Sequence, residues 1–240
     1  MVIAALVHGA LAAGLLALSV RGPVAAALAV AILAVGLCWG SNTIGHVHLH
    51  TPLFRADALN RLFSAYLSVL YGIPQSAWKR RHLAHHGLPA VALGTDVPLV
   101  VVGWLALVAL SPRVALVAAF AWVAGLALCA LQGWAEHIGG APAVDHHGRL
   151  YNRLWWNDGY HAAHHRDPTR HFSLLPGETR AEDRTSAWPP LLRPLELVGP
   201  AVLDRLERAI SSQPLVRRWL VHVHRRAFAA LLTADARAQI

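Results

Sequence analysis

The sequence carries little charge. Asp, Glu, Lys and Arg together make up 14% of the 240 residues, whereas 55% of the residues are hydrophobic. An ordinary soluble domain has a larger charged fraction, and this length leaves room for one domain rather than several. The composition therefore predicts a single membrane-embedded domain over residues 1–240.

Cysteine is equally scarce. Cys38 and Cys129 are the two cysteines, each lies in an uncharged stretch, and they form no Cys-x-x-Cys pair. This excludes a disulfide framework, an iron–sulfur site and a zinc ribbon built on cysteine. We interpret both residues as small buried hydrophobic side chains.

A basic segment is missing ahead of the first apolar stretch. A secretory signal begins with such a segment, but Arg21 is the first Lys or Arg of the chain and a second apolar stretch follows it directly. We therefore expect the N-terminal stretch to stay in the protein as a helix.

Four uncharged apolar stretches cover residues 2–20, 24–40, 97–110 and 114–133. Arg21-Gly22-Pro23 and Ser111-Pro112-Arg113 separate them into pairs, as turns do. The third stretch spans only about 21 Å of a hydrocarbon core of about 30 Å, so it must extend towards residues 94–96, tilt little or thin the bilayer. We expect an all-α integral membrane fold with four transmembrane helices arranged as two hairpins, about 2–40 and 97–133.

The positive charge lies outside the hairpin turns. The chain has a net charge of +8, and of its 21 Lys and Arg residues only Arg21 and Arg113 fall in the two turns. By the positive-inside rule the segments between and after the hairpins are cytoplasmic. No nucleic-acid-binding motif accompanies these residues, so we expect anionic lipid headgroups, not nucleic acid, as the partner of the charge.

The segment 200–240 alternates apolar residues with arginines. This pattern predicts one or two basic amphipathic helices on the membrane face. The alternative is a set of solvated basic helices packed on the domain.

The sixteen histidines concentrate in three groups, which we call boxes. In the first box, "GHVHLH", His46 and His50 share a helix face while His48 points elsewhere. The second box is His82, His85 and His86, and the third is His161, His164 and His165. Both have the spacing i, i+3, i+4, which we expect to turn three imidazoles towards one point.

These boxes indicate a metal centre. Imidazole binds zinc, copper, nickel and iron, so the donor type alone does not identify the metal. Eight donors exceed the needs of one ion and imply two ions, with a position left for water, oxygen or substrate. His137, at the end of the last apolar stretch, is a ninth candidate. The Glu and Glu-x-x-His pairs of soluble di-iron bundles are missing here.

Two segments resemble the membrane fatty acid desaturases. The first is "HVHLHTPLFRADALNRLFSAYLSVLYGIPQSAWKRRHLAHH" at 46–86, with its Pro-x-Phe-Arg step, its Leu-Asn pair and the aromatic residue before the second box. The second is "NRLWWNDGYHAAHHRDPTRHFSLLP" at 152–176, with Gly-Tyr before the third box and the closing Leu-Pro. The resemblance covers roughly residues 40–177, and the two hairpins extend it to the N-terminus.

The resemblance implies a non-haem di-iron centre that uses dioxygen to oxidise a C–H bond of a lipid chain. It places the boxes, over 46–86 and 137–177, in a cytoplasmic helical cap, and it implies two iron ions, with zinc as a substitute on expression. Electrons then come from a separate donor such as ferredoxin. The implied metal ligands are His46, His50, His82, His85, His86, His137, His161, His164 and His165.

The chain departs from the family pattern in two places. The acidic residue often found inside the third box is replaced by Ala162 and Ala163, and the Asn that some members place four residues before the late histidine is Gly133. Asn152 or Asn157 can take the place of that Asn, and ordinary turn-forming asparagine is the alternative for both.

The other histidines stay outside the ligand set. We expect His146 and His147 to be solvated loop residues, and groups that support the metal ligands or face the substrate are the alternative. We also leave out His48, His171, His222 and His224. His8 lies in the first apolar stretch, away from the boxes.

Three functions remain open. Fatty acyl desaturation is the first, and hydroxylation or ketolation of a carotenoid, sterol or acyl lipid by the same type of boxes is the second, since "GYHxxHH" is also similar to carotenoid ketolases. A membrane metal carrier or haem protein is the third. It predicts histidines inside the apolar stretches, where this chain has only His8.

Overall fold

The computed structural model describes residues 1–89, 91–138 and 143–197. The basic segment predicted at 200–240, with His222 and His224, lies outside the described residues. The described residues are mostly helical, as the all-α prediction requires, and two strands of two residues each are the exception.

The first hairpin consists of α1 (Val2–Ser19) and α2 (Pro23–Gly40). Pro23 occupies the first turn of α2, where its missing N–H costs no intrahelical hydrogen bond. The turn between the helices therefore falls at the proline, and the two helices pack against each other.

A π-helical turn, Ser41–Gly45, joins α2 to α3 (His46–His50) without a break. Within this turn the Asn42 amide donates to the Cys38 carbonyl at 2.9 Å and the Thr43 hydroxyl to the Trp39 carbonyl at 2.6 Å. Such wide turns are frequent at functional sites. Here the residues that follow are those of the first box.

The second hairpin consists of α6 (Asp96–Leu110) and α7 (Pro112–Glu136). Ser111 caps α7, since its hydroxyl accepts a hydrogen bond from the Val114 N–H, and Pro112 follows at the first helical position. α7 packs mainly against α2, with further contacts to α1 and α6.

Three helical stretches among the described residues are long and apolar enough to cross a membrane: α1, the continuous Pro23–His50 and α7. α6 is equally apolar but has only 15 residues, which is about 22 Å of helix. Crossing by four helices, and the side on which the boxes lie, therefore stay predictions.

Between and after the hairpins lie shorter elements that carry the site: α4 (Asp57–Tyr71), α5 (Gln75–His85), α8 (Arg149–Leu154), α9 (His161–Arg166), and β1 (Val144–Asp145) paired in parallel with β2 (Arg184–Thr185). Two 3₁₀ helices follow, Phe172–Glu178 and Pro190–Leu197. Met1–Leu191 form one compact unit, and every residue of the site lies in it.

A buried carboxylate fixes the start of α5. Asp96 accepts hydrogen bonds from the Ser76 N–H at 2.8 Å, the Ser76 hydroxyl at 2.5 Å and the Ser68 hydroxyl at 3.0 Å. These bonds tie α4, α5 and α6 together, and a negative charge at the first turn of a helix is favourable. The helix that carries the second box is thereby held against the second hairpin.

Candidate metal centre

The structure brings all nine predicted ligands together from four parts of the chain. His46 and His50 lie on α3, His82 and His85 lie on α5 with His86 directly after it, His137 directly follows α7, and His161, His164 and His165 lie on α9. They form two groups, and in each group one donor nitrogen from every histidine lies within 4.8 Å of the others. The five-histidine cluster is His46, His50, His82, His86 and His164, and the four-histidine cluster is His85, His137, His161 and His165.

Each of the second and third boxes divides between the two clusters. His82 and His86 belong to the five-histidine cluster, and His85 belongs to the four-histidine cluster. In the third box, His164 belongs to the five-histidine cluster, whereas His161 and His165 belong to the four-histidine cluster. The expectation that a box points at one site is wrong for a geometric reason. At 3.6 residues per turn, positions i and i+4 differ by about 40° around the helix, whereas i+3 and i+4 differ by about 100°.

The spacing of the nitrogens fits bound ions. The Nε2 atoms of His46 and His164 lie 2.9 Å apart in the five-histidine cluster, and those of His161 and His137 lie 3.2 Å apart in the other. Two imidazole nitrogens at about 2.0–2.1 Å from a shared ion are separated by about 2.9–3.4 Å for angles between 90° and tetrahedral. The donor set and its spacing therefore suit two ions.

Burial keeps these imidazoles neutral. It lowers the pKa of His86 to about 4 and that of His165 to about 3, with further lowering from neighbouring histidines. The pKa values of His82, His161 and His164 are also lowered, again chiefly by burial. Neutral imidazole offers the lone pair that a metal ion needs, so the ligands are in the binding form at neutral pH.

Two carboxylates that the sequence analysis missed adjoin the clusters. Glu136 Oε2 lies 3.6 Å from Nε2 of His161, and Asp158 Oδ1 lies 3.8 Å from Nδ1 of His46. Glu136 thus faces a metal-side nitrogen, whereas Asp158 faces the opposite edge of its ring. Glu136, Asp158 and His161 form a third group able to hold an ion.

A polar network holds these carboxylates in place. Asp158 accepts hydrogen bonds from the Tyr151 hydroxyl and from the Gln132 amide, both at 2.8 Å, and Gln132 also donates to Glu136 at 3.1 Å. Burial raises the pKa of Asp158 to about 7. One signal for Glu136 was available in the sequence, because it is the single acidic residue of α7 and directly precedes His137.

Gly133 lies outside this polar network. A Cβ added to Gly133 would meet nothing within 4 Å, so this position faces away from the centre. Gln132, one residue earlier, is fully buried and supplies the side-chain amide of α7 at this site. It binds the two carboxylates.

Asp145 lies outside the third box and holds the start of α9, the helix that carries this box. Its buried carboxylate accepts a hydrogen bond from the Ala162 N–H at 2.7 Å, at the start of α9. Such a bond satisfies one of the free N–H groups of a helix start. Asp145, in β1, therefore supports the third box, which has Ala162 and Ala163 in place of an acidic residue of its own.

Both candidate asparagines bond to loop backbone. The Asn152 amide donates to the His146 carbonyl at 2.7 Å and its oxygen accepts from the Gly159 N–H at 3.0 Å. Asn157 donates to the Phe172 carbonyl at 3.1 Å. The turn-forming alternative describes both residues.

The loop before α9 is strained at two residues. Trp156 and Asn157 have φ values of 51° and 62°, a region that bulky side chains rarely adopt. Trp156 packs edge-on against Trp39 and stacks on Phe172. It lines a cavity of about 30 Å³ that also touches histidines of both clusters, which is room for a water-sized molecule.

His146 is not a solvated loop residue as predicted. It is 5% exposed, its Nδ1 lies 3.1 Å from the Ser186 carbonyl, and its ring packs edge-on against Tyr151. The loop closes over it because Asn152 clamps the backbone on both sides. His147 is more exposed and lies 3.2 Å from Asp145.

The other described histidines are also outside the two clusters. His48 lies 3.0 Å from the Ser64 hydroxyl, on the side of α3 away from the centre, and His171 lies 2.8 Å from the Ser173 hydroxyl. His8 packs against Trp39 and Tyr71 near the end of α2.

Comparison with known protein families gives one match. The family model for fatty acid desaturase matches residues 22–97 and 89–189. These ranges cover more than half of the chain and include all nine histidines, so the chain belongs to the fatty acid desaturase family. No curated protein and no solved structure matches it.

Proposed function

We propose that this protein is a non-haem di-iron enzyme that uses dioxygen to oxidise the hydrocarbon chain of a lipid, and that fatty acyl desaturation is its reaction. The observation that carries the proposal is the convergence of nine imidazoles into a five-histidine and a four-histidine cluster, in a chain of the fatty acid desaturase family. Family membership supports an oxidoreductase of lipids. The iron count, the reaction and the substrate are our inference.

Each cluster would hold one iron ion, with all nine predicted histidines as ligands. Zinc can occupy such imidazole sites when the protein is expressed in another host. Bound iron supplies the redox chemistry of dioxygen activation, which imidazole and carboxylate groups alone do not provide. Electrons come from a separate carrier such as ferredoxin.

The chain's own side chains hold and shield the site. Tyr151 and Gln132 hold Asp158 in place, with its Oδ1 3.8 Å from Nδ1 of His46. Trp155, Trp156 and Phe172 line the small cavity beside the clusters and limit its access to water.

The proposed location is a membrane with the site on its cytoplasmic side. α3 continues α2 and His137 follows α7, so the centre lies at the ends of two long apolar stretches. Lys and Arg are in excess in the segments around the boxes, and by the positive-inside rule this excess supports the cytoplasmic side.

A hydroxylase or ketolase is the alternative function. It is favoured by Ala162 and Ala163 in the third box, where the family often has an acidic residue. Desaturation and hydroxylation share the first hydrogen abstraction and separate by small differences in placement, so a changed box can change the product.

Lipid analysis tests the proposal. The protein is expressed with a ferredoxin and its reductase, and extracted lipids are compared by mass spectrometry with those of the His164→Ala variant and of the His48→Ala control. We expect a loss of two hydrogens in acyl chains with the parent and the His48→Ala control only. A gain of one oxygen, with or without loss of two hydrogens, on a carotenoid, sterol or acyl lipid identifies the alternative. Unchanged lipids with iron-loaded protein contradict both.

A further inference from the structure

The two cysteines of the chain meet where α2 packs against α7. Cys38 and Cys129 are 91 positions apart in the sequence, and each thiol lies within hydrogen-bonding range of the other. Cys38 is 1% exposed, Cys129 is partly buried, and both are free thiols. The sequence analysis treated them as two separate hydrophobic side chains, whereas the structure brings them together as a dithiol.

A glycine one turn earlier lets the two helices approach closely. A Cβ at Gly125 would lie 3.1 Å from the Ala34 carbonyl oxygen, so there is no room for a side chain between α7 and α2 at this level. Cys38 follows Ala34 by four residues and Cys129 follows Gly125 by four, which places the cysteines on the same two helix faces. A disulfide requires Cα atoms within about 7 Å of each other, and a close approach of this kind permits it.

Polar side chains lie against both sulfurs. The Cys38 thiol donates to Oε1 of Gln132 at 3.5 Å, and the Asn42 amide donates to its sulfur, also at 3.5 Å. Cys129 forms a hydrogen bond with the Ser41 side chain. The dithiol is therefore part of a polar region, and it is not packed among aliphatic side chains alone.

Asn42 connects the dithiol with the small cavity beside the metal centre. It lines that cavity of about 30 Å³ together with His46 and His164, which belong to the five-histidine cluster. The amide of the same Asn42 contacts the Cys38 sulfur. One side chain thus touches both the cavity, which has room for a water-sized molecule, and the thiol.

We infer that Cys38 and Cys129 form a site of oxidative modification, at which hydrogen peroxide joins the two sulfurs in a disulfide bond between α2 and α7. One sulfur, as thiolate, attacks a peroxide oxygen, the O–O bond breaks, and a sulfenic acid and one water result. The second sulfur then displaces the hydroxyl group of the sulfenic acid as another water. The two sulfurs together give two electrons to the peroxide, and both thiol protons end in the two water molecules.

The bond would join the helices that lead to the two clusters. Cys38 precedes His46 by eight residues and Cys129 precedes His137 by eight, which is about 12 Å of helix in each case. His46 belongs to the five-histidine cluster and His137 to the four-histidine cluster. Hydrogen peroxide is a product of the incomplete reduction of dioxygen, and this source of the oxidant rests on the proposed function. The ability of the two sulfurs to form a bond does not.

Intact-mass measurement tests the inference. The full chain is purified in detergent with a reductant, freed of the reductant, treated with hydrogen peroxide and then alkylated with N-ethylmaleimide. The untreated protein should take up two maleimides. The peroxide-treated protein should take up none, should have lost the mass of two hydrogens, and should yield a peptide in which Cys38 is linked to Cys129. Dithiothreitol should restore both thiols.

Two variants make the result specific. Cys38→Ser keeps one thiol, so its oxidation should stop at a sulfenic acid that dimedone traps. The double variant Cys129→Ala with Gly133→Cys keeps two thiols but moves one of them to a position where a Cβ would meet nothing within 4 Å. This variant should form no cross-link within the chain.

Three results would overturn the inference. They are two alkylatable thiols after peroxide treatment of the parent, separate oxygen adducts on the two sulfurs without a cross-link, and an equal cross-link in the double variant. Lipid oxidation enters none of these measurements, so failure of this inference and failure of the proposed function are distinguishable.

Discussion

Glu136 Oε2 lies 3.6 Å from Nε2 of His161, the nitrogen that is itself 3.2 Å from His137 and 3.1 Å from His165. The carboxylate therefore faces the region where the four-histidine cluster would hold its ion. That cluster has one imidazole fewer than its neighbour.

Replacing Glu136 by Gln should weaken iron binding in the four-histidine cluster, because the side chain keeps its size but loses its charge. We expect the iron content to fall from about two towards one per chain, and the remaining iron to leave faster to a chelator. Elemental analysis measures both. The control is Glu182→Gln, an exposed residue outside the centre, and a Glu136→Gln protein that retains iron like this control contradicts the prediction.

One substitution in each cluster tests the iron count. His164→Ala removes a donor from the five-histidine cluster and His85→Ala removes one from the other. Each should lower iron from about two to about one or fewer per chain. His48→Ala, which changes a histidine between two ligands on α3, should leave iron unchanged, and a single ion in the parent protein is incompatible with the two-cluster interpretation.

Membrane topology is testable by labelling. In a background without Cys38 and Cys129, single cysteines at Arg21 and Arg113 should react from one side of the membrane. Cysteines near His86 and His165 should react from the other. Labelling of residues near the second and third boxes from opposite sides is inconsistent with a shared metal centre.

Two glycines of α7 should respond differently to replacement by alanine. A Cβ at Gly125 would lie 3.0 Å from Leu37 Cβ and 3.1 Å from the Ala34 carbonyl oxygen, so Gly125→Ala forces α2 and α7 apart. We expect a loss of about 1–3 kcal/mol in the free energy of unfolding. Gly133→Ala, with nothing within 4 Å, should cost none. Unfolding in detergent measures both, and equal stability of the two variants contradicts the packing argument.

Local sequence patterns predicted those features of the protein that depend on residues close together in the chain. Uncharged stretches indicated the long helices because a helix in lipid must satisfy its own backbone, and Pro23 and Pro112 marked where two of them begin. The spacing of the boxes indicated eight of the nine histidines that the structure brings together, and the position of His137 at the end of an apolar stretch indicated the ninth. Their division into five and four depends on how α5 and α9 face each other, which no single segment encodes.

The missed features involve contacts between distant segments. Glu136 and Asp158 are 22 positions apart and meet through Gln132, and His146 is buried by a loop that Asn152 closes.

Because α5 and α9 each contribute histidines to both clusters, two ions bound there would not load independently. The first ion to bind would fix both helices and remove much of the ordering that the second requires, so the second would bind more tightly. The ring centroids of His86 and His165, one from each cluster, lie 4.3 Å apart. A metal titration of the apoprotein should therefore be sigmoidal, with singly loaded molecules scarce throughout, and the protein should switch between empty and doubly loaded forms over a narrow range of free iron.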